Sequence, residues 1–390
     1  MRIDKKLVLV FLIIFISFSP LLSNMYKAFA LLGLTVIVFF NFSNKSNKNF
    51  MALFIIEIIL LSNATLDLFK IEEIGEYSIL NMYFPLCILF GYIVSNKFNI
   101  NNYLIYIHRI VLIIALFSLV GVTVYTYLPQ IVFALPEYVY MHTRHRTAFI
   151  FNVLTIGRYV IQRNAGIAWE PGAFQLLLNV GLYSYIKFCK GKNLFVIIVY
   201  LLAIVSTRST TGLIIFAINY MILLIENRES RAIRWFSLLV IVVFANEIRE
   251  LIEYNLSYKI NFEAVGFNFR FSPMIQAYIS GKSNLFGLGN SQYKLLYEDL
   301  GIGSFDSFSQ IFVRYGYFLT LMIIIRLFKL IKRYFPLFVI IAFTFISQTI
   351  WFFPFITPFY FFTLDREEGK DEDIMVNKRS TTRSIGTLKI

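Results

Sequence analysis

The sequence predicts an all-α integral membrane protein, a polytopic bundle of about twelve transmembrane helices with two large extracytoplasmic loops. Three observations predict this fold class: the composition, a series of apolar runs, and the placement of the positively charged residues. The chain of 390 residues is 58% hydrophobic and only 15% charged, and its mean hydropathy is +0.69. Soluble domains are roughly one quarter charged, so this composition excludes a soluble enzyme, a disordered chain and a disulfide scaffold. The net charge of +13 is then attributed to basic cytoplasmic loops, and no nucleic-acid partner is expected.

The apolar runs set the number of predicted spans, because each crossing of a bilayer needs about 20 mostly apolar helical residues. The last stretch, 335–364, contains Pro354 and Pro358 and fits either one kinked span or a hairpin of two short ones. We favour the hairpin and twelve spans, with eleven as the alternative. The other runs are 7–22, 27–42, 50–63, 78–94, 104–128, 172–188, 194–207, 212–225, 235–246 and 307–327.

Lysine and arginine predict the orientation, because cytoplasmic loops are enriched in both. The first run follows Arg2, Lys5 and Lys6, which is typical of an uncleaved signal anchor with a cytoplasmic N-terminus. Alternation from that start places seventeen basic residues inside and three in the short outside loops. The membrane domain is therefore 1–364, and the polar tail 365–390 is predicted to be cytoplasmic and disordered.

Two outside segments, 129–171 and 247–306, are longer than a turn requires. Loops above about 15 residues are usually functional or disordered, and the aromatic and apolar content of both favours folding against the membrane surface. Their arginines run against the positive-inside bias, although long loops are translocated largely regardless of charge. We assign Arg158, Arg163 and Arg270 among them to anion binding.

A cation, a carboxylate and a Pro-Gly pair mark the end of the first large loop. The run Arg163-Asn-Ala-Gly-Ile-Ala-Trp-Glu170-Pro-Gly leads into the sixth span. Guanidinium groups match phosphate oxygens, and Pro171 suits the first turn of a helix whose N-terminus faces an anion. A structural Arg–Glu pair that caps the helix is the alternative.

Two further segments carry polar residues beside apolar runs. Ser206-Thr-Arg208-Ser-Thr-Thr-Gly212 joins two spans at the outside, where it lines a cavity or forms a tight turn whose arginine meets lipid headgroups. Arg270 lies in an amphipathic stretch that precedes Gly287-Leu-Gly289, which is interpreted as a close-packed turn. No Rossmann context surrounds these glycines.

A carboxylate stands where the second large loop re-enters the membrane. Asp306 at that depth is a candidate general base with a raised pKa, and a helix N-cap is the alternative role. Arg314, about two turns further on, either completes a basic wall or pairs with Asp306. No Ser–His–Asp arrangement or metal-ligand spacing is found, so neither a cofactor nor a metal is expected.

These motifs resemble those of the Wzy-type O-antigen and polysaccharide polymerases, which share a superfamily with the WaaL-type O-antigen ligases. The matching elements are short and degenerate, cover about 160–320, and gain specificity from their order and the two outside loops. They are Arg163-x-x-Gly166 with Glu170-Pro-Gly, the segment around Arg208, Arg270 with Gly287-Leu-Gly289, and Val313-Arg-Tyr-Gly316.

The resemblance implies a metal-independent, inverting glycosyltransferase of the GT-C type in the bacterial inner membrane, with its active site facing the periplasm. Its substrate would be an undecaprenyl-diphosphate-linked oligosaccharide, and a chain-length regulator would be a partner. Arg163, Arg208 and Arg270, with Arg158 and Arg314, would hold the diphosphate. Asp306 or Glu170 would accept the proton of the attacking hydroxyl.

Three other readings remain open at this stage. A ligase would carry a histidine in the second large loop, but 247–320 contains none. A flippase or exporter of lipid-linked sugars would usually have short loops and charges scattered inside the bundle. A structural or sensory membrane protein would tolerate substitution of the outside arginines.

Overall fold

A computed structural model gives the fold of most of residues 1–364. It describes residues 4–41, 49–68, 76–140, 143–148, 150–156, 159–160, 163–189, 193–226, 285–290, 292–293 and 306–363. Within these residues the chain is mostly helical. The predicted span 235–246, the tail 365–390, Arg158 and Arg270 lie outside the described residues.

The described helices follow the predicted apolar runs. Apart from the short α6, each begins within about one helical turn of a predicted run. Side-chain caps fix some of the starts: Asn99 accepts from the backbone N–H of Asn101, and Asn193 accepts from that of Phe195. The helices are α1 (Lys5–Phe18), α2 (Asn24–Asn41), α3 (Phe50–Leu68), α4 (Glu76–Lys97), α5 (Ile100–Tyr127), α6 (Pro129–Phe133), α7 (Pro171–Phe188), α8 (Leu194–Ser206), α9 (Thr210–Glu226), α10 (Ser307–Phe328) and α11 (Ile331–Ser347).

Two of these helices, α5 and α10, are long and apolar enough to cross a membrane, while α2, α3, α8 and α9 are apolar over shorter lengths. Large apolar side chains also remain exposed: Phe40 is 78%, Met51 70% and Val120 63% exposed. Broad exposed apolar surface marks a contact with lipid or protein. Twelve spans and their orientation remain predictions.

The first large loop contains a four-stranded antiparallel sheet, so the all-helical expectation is wrong there. The strands pair in chain order, with Arg144 opposite Thr155. Alternation in Thr143-Arg-His-Arg-Thr and the β-branched content of its partner favour strands. Phe151 stacks on Tyr125 of α5 at 6.3 Å between ring centroids, and we call this end of the bundle the sheet end. The strands are β1 (Glu137–Tyr140), β2 (Thr143–Ala148), β3 (Phe151–Ile156) and β4 (Tyr159–Val160).

After α11 the chain returns along the bundle without forming a second helix. Ser307 N donates to Gln348 O (3.1 Å) at the start of α10, and Arg326 Nε donates to Tyr360 O (2.7 Å) near its end. Residues 348–363 therefore span the length of α10, with one 3-10 turn, Thr357–Tyr360. We call the Tyr360 end the tail end.

The returning segment differs from the predicted helical hairpin for a physical reason. Pro354 and Pro358 lack backbone N–H groups and oppose a continuous helix. Irregular backbone at membrane depth is tolerated only where protein shields it. Residues 353–362 are all buried, so the surrounding helices provide that shielding.

Candidate functional site

The N-termini of three helices lie together at the sheet end. A Cβ atom on Gly172 of α7 would lie 2.3 Å from Gln348 Nε2, and one on Gly212 of α9 would lie 2.8 Å from the Cβ of Gln175 of α7. Ser307, the first residue of α10, bonds to the carbonyl of the same Gln348. Because helix N-termini carry partial positive charge and unpaired N–H groups, this end of the bundle favours anions.

Beside these helix starts, Arg163 ties the end of the first large loop to the end of α8. Its Nε donates to the carbonyl of Thr207 (3.1 Å) and its Nη2 to the carbonyl of Arg208 (3.4 Å). We call Arg163, Asn164, Thr207 and Arg208 the α8 turn cluster. Two of the predicted anion-binding residues, Arg163 and Arg208, are thus neighbours, and Arg163 bonds to the backbone that presents Arg208.

Asn164 fixes the same cluster from inside, and the sequence analysis missed it. The side chain is fully buried and donates to Ser118 Oγ (3.0 Å) and Ser206 Oγ (2.8 Å). It also accepts from Gly166 N (2.9 Å), while its own N–H donates to Ser206 O (2.9 Å). A polar residue directly after Arg163 was the only signal in the sequence, because its partners lie far away along the chain.

The backbone of Arg208 adopts a conformation that glycine normally occupies. Its φ of 49° is the single positive value at a non-glycine residue in the described part of the chain. A left-handed conformation costs a side-chain-bearing residue roughly 1–2 kcal/mol, and such strain clusters at functional sites. The guanidinium is exposed and makes no hydrogen bond or ion pair with the described residues, so it can meet a ligand.

The two predicted carboxylates stand at helix starts that meet at Gln348. Glu170 precedes Pro171 in an extended conformation (φ −150°) and its side chain makes no capping bond to α7. Asp306 caps α10: Oδ1 accepts from Ser309 N (3.0 Å) and Oδ2 from Ser309 Oγ (2.5 Å). The N-cap role left open for Asp306 is therefore present.

Burial changes the proton affinity of Asp306. Removal from water raises the pKa of this carboxyl, and the hydrogen bonds from Ser309 oppose that shift only in part. A carboxyl with a raised pKa is better matched to a general base near neutral pH than an ordinary one. The N-cap position and a role in proton transfer are compatible, because a carboxylate has about four acceptor sites.

Arg314 lies at a break in α10. Gly316 has φ 77° and ψ −171°, which interrupts the helix, and Leu288 N donates to the carbonyl of Val313 (2.8 Å). A Cβ atom on Gly287 would lie 2.3 Å from the carbonyl oxygen of Arg314. The predicted close-packed glycine turn is therefore present, and it packs against the predicted re-entry segment.

The side chain of Arg314 is buried with unused donors. It is 6% exposed, and its Nε and Nη1 have no partner in the described part of the chain. The guanidinium lies 4.0 Å from the ring centroid of Tyr293 and 5.2 Å from that of Phe84. The alternative pairing with Asp306 is not formed, because that carboxylate bonds to Ser309 on its own helix.

Energetics show that the rings alone do not offset this burial. A cation over an aromatic face gains about 0.5–2 kcal/mol, whereas the effective penalty for burying an ion is several kcal/mol. Arg314 as described therefore lacks a counterpart for its charge.

A second buried donor lies in the same place. Asn290 Nδ2 donates to Asn81 Oδ1 and to Tyr315 Oη (3.3 Å), while Asn81 Nδ2 has no partner among the described residues. We call Asn81, Phe84, Asn290, Tyr293 and Arg314 the α10 break cluster. The sequence analysis missed Asn81, although a polar residue inside an apolar span is a recognised signal of function.

A row of aromatic rings leads from Trp169, near the end of the first large loop, to Phe84 of the α10 break cluster. Trp169 contacts Phe353 (5.1 Å between centroids), Phe353 contacts Phe352 (5.1 Å), and Phe352 contacts Phe84 (4.5 Å). Trp351 is held beside this row by a 2.7 Å hydrogen bond to Gln310. Among the described residues Arg314 contacts neither Arg163 nor Arg208, so the basic wall left open for it is not seen there.

Within the described residues, no three His, Cys, Asp or Glu side chains are placed to hold a metal ion; independence from metal remains a prediction. Comparison of the chain with protein-family models, with characterised proteins and with solved structures finds no match.

Proposed function

We propose that the protein is a glycosyltransferase that polymerises undecaprenyl-diphosphate-linked oligosaccharide repeat units into O-antigen or a capsular or extracellular polysaccharide. The observation that carries the proposal is the exposed side chain of Arg208, held in a left-handed turn two residues before α9, at the end of the bundle where α7 and α10 also begin. An isolated cation next to helix starts suits a diphosphate. In this proposal the sheet end faces the periplasm.

The proposed reaction needs no redox partner. A hydroxyl oxygen of the acceptor sugar attacks the anomeric carbon of the donor with inversion, and a new C–O bond forms. The bond between that carbon and the lipid diphosphate breaks, and the diphosphate leaves with the electron pair. Arg208 stabilises the charge that develops there. Arg163, whose donors bond to backbone carbonyls, positions the turn that carries Arg208.

Asp306 is the proposed acceptor of the hydroxyl proton. Its raised pKa and its place at the meeting point of α7 and α10 support this role. Glu170 shares that meeting point and is the alternative. Because Asn caps a helix as well as Asp does, the two roles of Asp306 can be separated by substitution.

Membrane residence is supported by two independent features. α5 and α10 are long and apolar enough to cross a bilayer, and the exposed apolar side chains suit lipid. Basic residues gather at the tail end, where Lys187 donates to the carbonyl of Arg333 (2.6 Å). The positive-inside rule then favours a cytoplasmic tail end.

The proposal is tested by the lipopolysaccharide or capsule ladder of a deletion strain. A single repeat unit on the acceptor, with the ladder restored by the wild-type chain, supports a polymerase. Loss of every repeat with accumulation of long lipid-linked polymer would instead identify a ligase, and accumulation of unflipped single units would identify a flippase. Complementation with Arg208→Gln should leave the ladder absent, whereas Arg326→Gln, a change at the tail end, should restore it.

A further inference from the structure

We infer that the α10 break cluster is a second anion site, which holds the diphosphate of the second lipid-linked substrate while the α8 turn cluster holds that of the first. The inference rests on the proposed function, in which donor and acceptor are both diphosphate lipids. The arginines then form two separate anion sites and not one continuous basic surface.

The unused atoms of the cluster have the chemistry of an anion site. Arg314 Nε, Arg314 Nη1 and Asn81 Nδ2 are all hydrogen-bond donors, and none has a partner among the described residues. Both side chains are more than nine-tenths buried, at 6% and 3% exposed. Buried polar groups in folded proteins are nearly always hydrogen-bonded, so three unused donors at one place indicate a ligand rich in acceptors.

The described surroundings orient the cation. Tyr293 and Phe84 lie against the guanidinium, so its polar edge is what remains for a ligand. Asp306, on the same helix, bonds to Ser309 and leaves Arg314 without a carboxylate in the described part of the chain. A phosphate-class anion supplies the missing charge, and Arg binds it through charge-assisted hydrogen bonds.

Residues 285–290 and 292–293, a described part of the second large loop, lie against the site. Leu285 and Gly287 pack into the break at Gly316, where a Cβ atom would lie 2.2 Å from the carbonyl oxygen of Leu285. Asn290 and Tyr293, a few residues further on, belong to the cluster itself. The loop and the break of α10 therefore build the site together.

Two separate sites suit a transfer between two lipid-linked substrates. Among the described residues, the guanidinium of Arg314 lies against Tyr293 and Phe84 and makes no contact with Arg163 or Arg208, so two diphosphates need not share one set of donors. Direct transfer requires both substrates to be bound at once, since proximity is what converts the step to an effectively intramolecular one.

The test counts bound diphosphates on the purified full-length protein. Native mass spectrometry with farnesyl diphosphate as the probe is expected to show two adducts on the wild type. Arg314→Gln and Arg208→Gln should each retain one, with affinity at the changed site reduced at least tenfold. Arg326→Gln is the matched control: this buried arginine of the same helix donates to the Tyr360 carbonyl and should keep both adducts.

The outcomes separate the two proposals. Two adducts on Arg314→Gln would overturn the second site, as would a single wild-type adduct that only Arg208→Gln removes; the proposed function would survive both results. No adduct on the wild type would contradict both. If Arg314→Gln is not recovered folded, Asn81→Leu must weaken one of the two adducts. Inorganic pyrophosphate, tested in parallel, should bind more weakly at both sites if the source is a lipid diphosphate, and equal binding would overturn that assignment.

Discussion

The α8 turn cluster and the α10 break cluster both bury polar side chains within the helical bundle, but they use their donors differently. The side-chain N–H groups of Asn164 and Arg163 donate to serine hydroxyls and backbone carbonyls. Arg314 and Asn81 have N–H groups without a partner among the described residues. Since a buried unsatisfied donor costs about 1–3 kcal/mol, the first cluster is a finished piece of structure that presents Arg208. The second has unused donors in the described part of the chain, and we infer that a bound anion occupies them.

The largest expected effect lies at Asp306, at the start of the helix that carries the break. Asp306→Asn should lower the rate of polymerisation about 1000-fold, since general base catalysis contributes roughly 10²–10⁴, and leave unfolding nearly unchanged because Asn retains the cap. Single-turnover assays and thermal unfolding measure the two. Glu170→Gln is the comparison. A larger loss of rate in Glu170→Gln than in Asp306→Asn would identify Glu170 as the general base.

The raised pKa of Asp306 also predicts in which direction the reaction rate and the stability change with pH. Burial raises the pKa of Asp306, so the wild-type rate should rise as pH passes through that raised pKa, above the usual range of about 4. Stability runs the other way. Folding favours the protonated carboxyl, so its contribution is greatest below the usual pKa and is lost as pH rises through the raised one. Both dependences should vanish in Asp306→Asn.

The two buried asparagines test the comparison itself. Asn164→Leu should destabilise the fold by about 3 kcal/mol, because it removes the two bonds donated to the hydroxyls of Ser118 and Ser206 and leaves the buried N–H of Gly166 without its acceptor. Asn81→Leu should cost less than about 1 kcal/mol, since it strands only the one donated bond from Asn290 and removes an unused donor. Denaturation of both variants in the same detergent measures the difference in the free energy of unfolding. Equal losses of stability would contradict the difference between the two clusters.

Within the α8 turn cluster, presentation and contact are separable. Arg208→Gln should lower the rate about 100-fold, the loss expected for one stabilising donor, without a change in Tm. Arg163→Gln should lower both rate and Tm, because it also removes two bonds to carbonyls. Thermal unfolding in parallel with the ladder assay distinguishes them. A normal ladder from Arg208→Gln would show that this cation does not meet the substrate.

The last expected effect concerns the backbone at the break. Gly316→Ala should destabilise by about 2 kcal/mol, since its φ of 77° strains any side chain by about 1–3 kcal/mol and the Leu285 carbonyl lies close. Gly33→Ala in α2 is the matched control, with nothing within 4 Å of the added carbon, and should gain about 0.5–1 kcal/mol. A neutral Gly316→Ala would mean that the break relaxes.

Hydropathy allowed the helices to be predicted, because burial in lipid or in the bundle imposes apolar runs of fixed length. The same logic failed between 137 and 160, where strands pair with each other outside any such run, and after Gln348, where protein shields an irregular segment. The glycine turn at Gly287 was predictable from its residue type. Asn81 and Asn164 were missed because their roles depend on partners distant in sequence.

The candidate site was predicted as a set of residues but not as an arrangement. The proximity of Arg163 to Arg208 could not be predicted from the sequence, because it depends on α8, which places Thr207 beside the end of the first large loop. The Arg314–Asp306 pair, one of two alternatives for Arg314, is not formed in the described part of the chain, where the first turn of α10 offers Asp306 a partner in Ser309.

The measurement that tests the central claim most directly is reconstitution of the purified chain in proteoliposomes with lipid-linked single repeat units and a metal chelator. Polymerisation predicts a ladder of undecaprenyl-diphosphate-linked products that rises by one repeat, and predicts its loss in Arg208→Gln. Repeat units recovered unchanged in length, or moved across the bilayer without growth, would contradict the account.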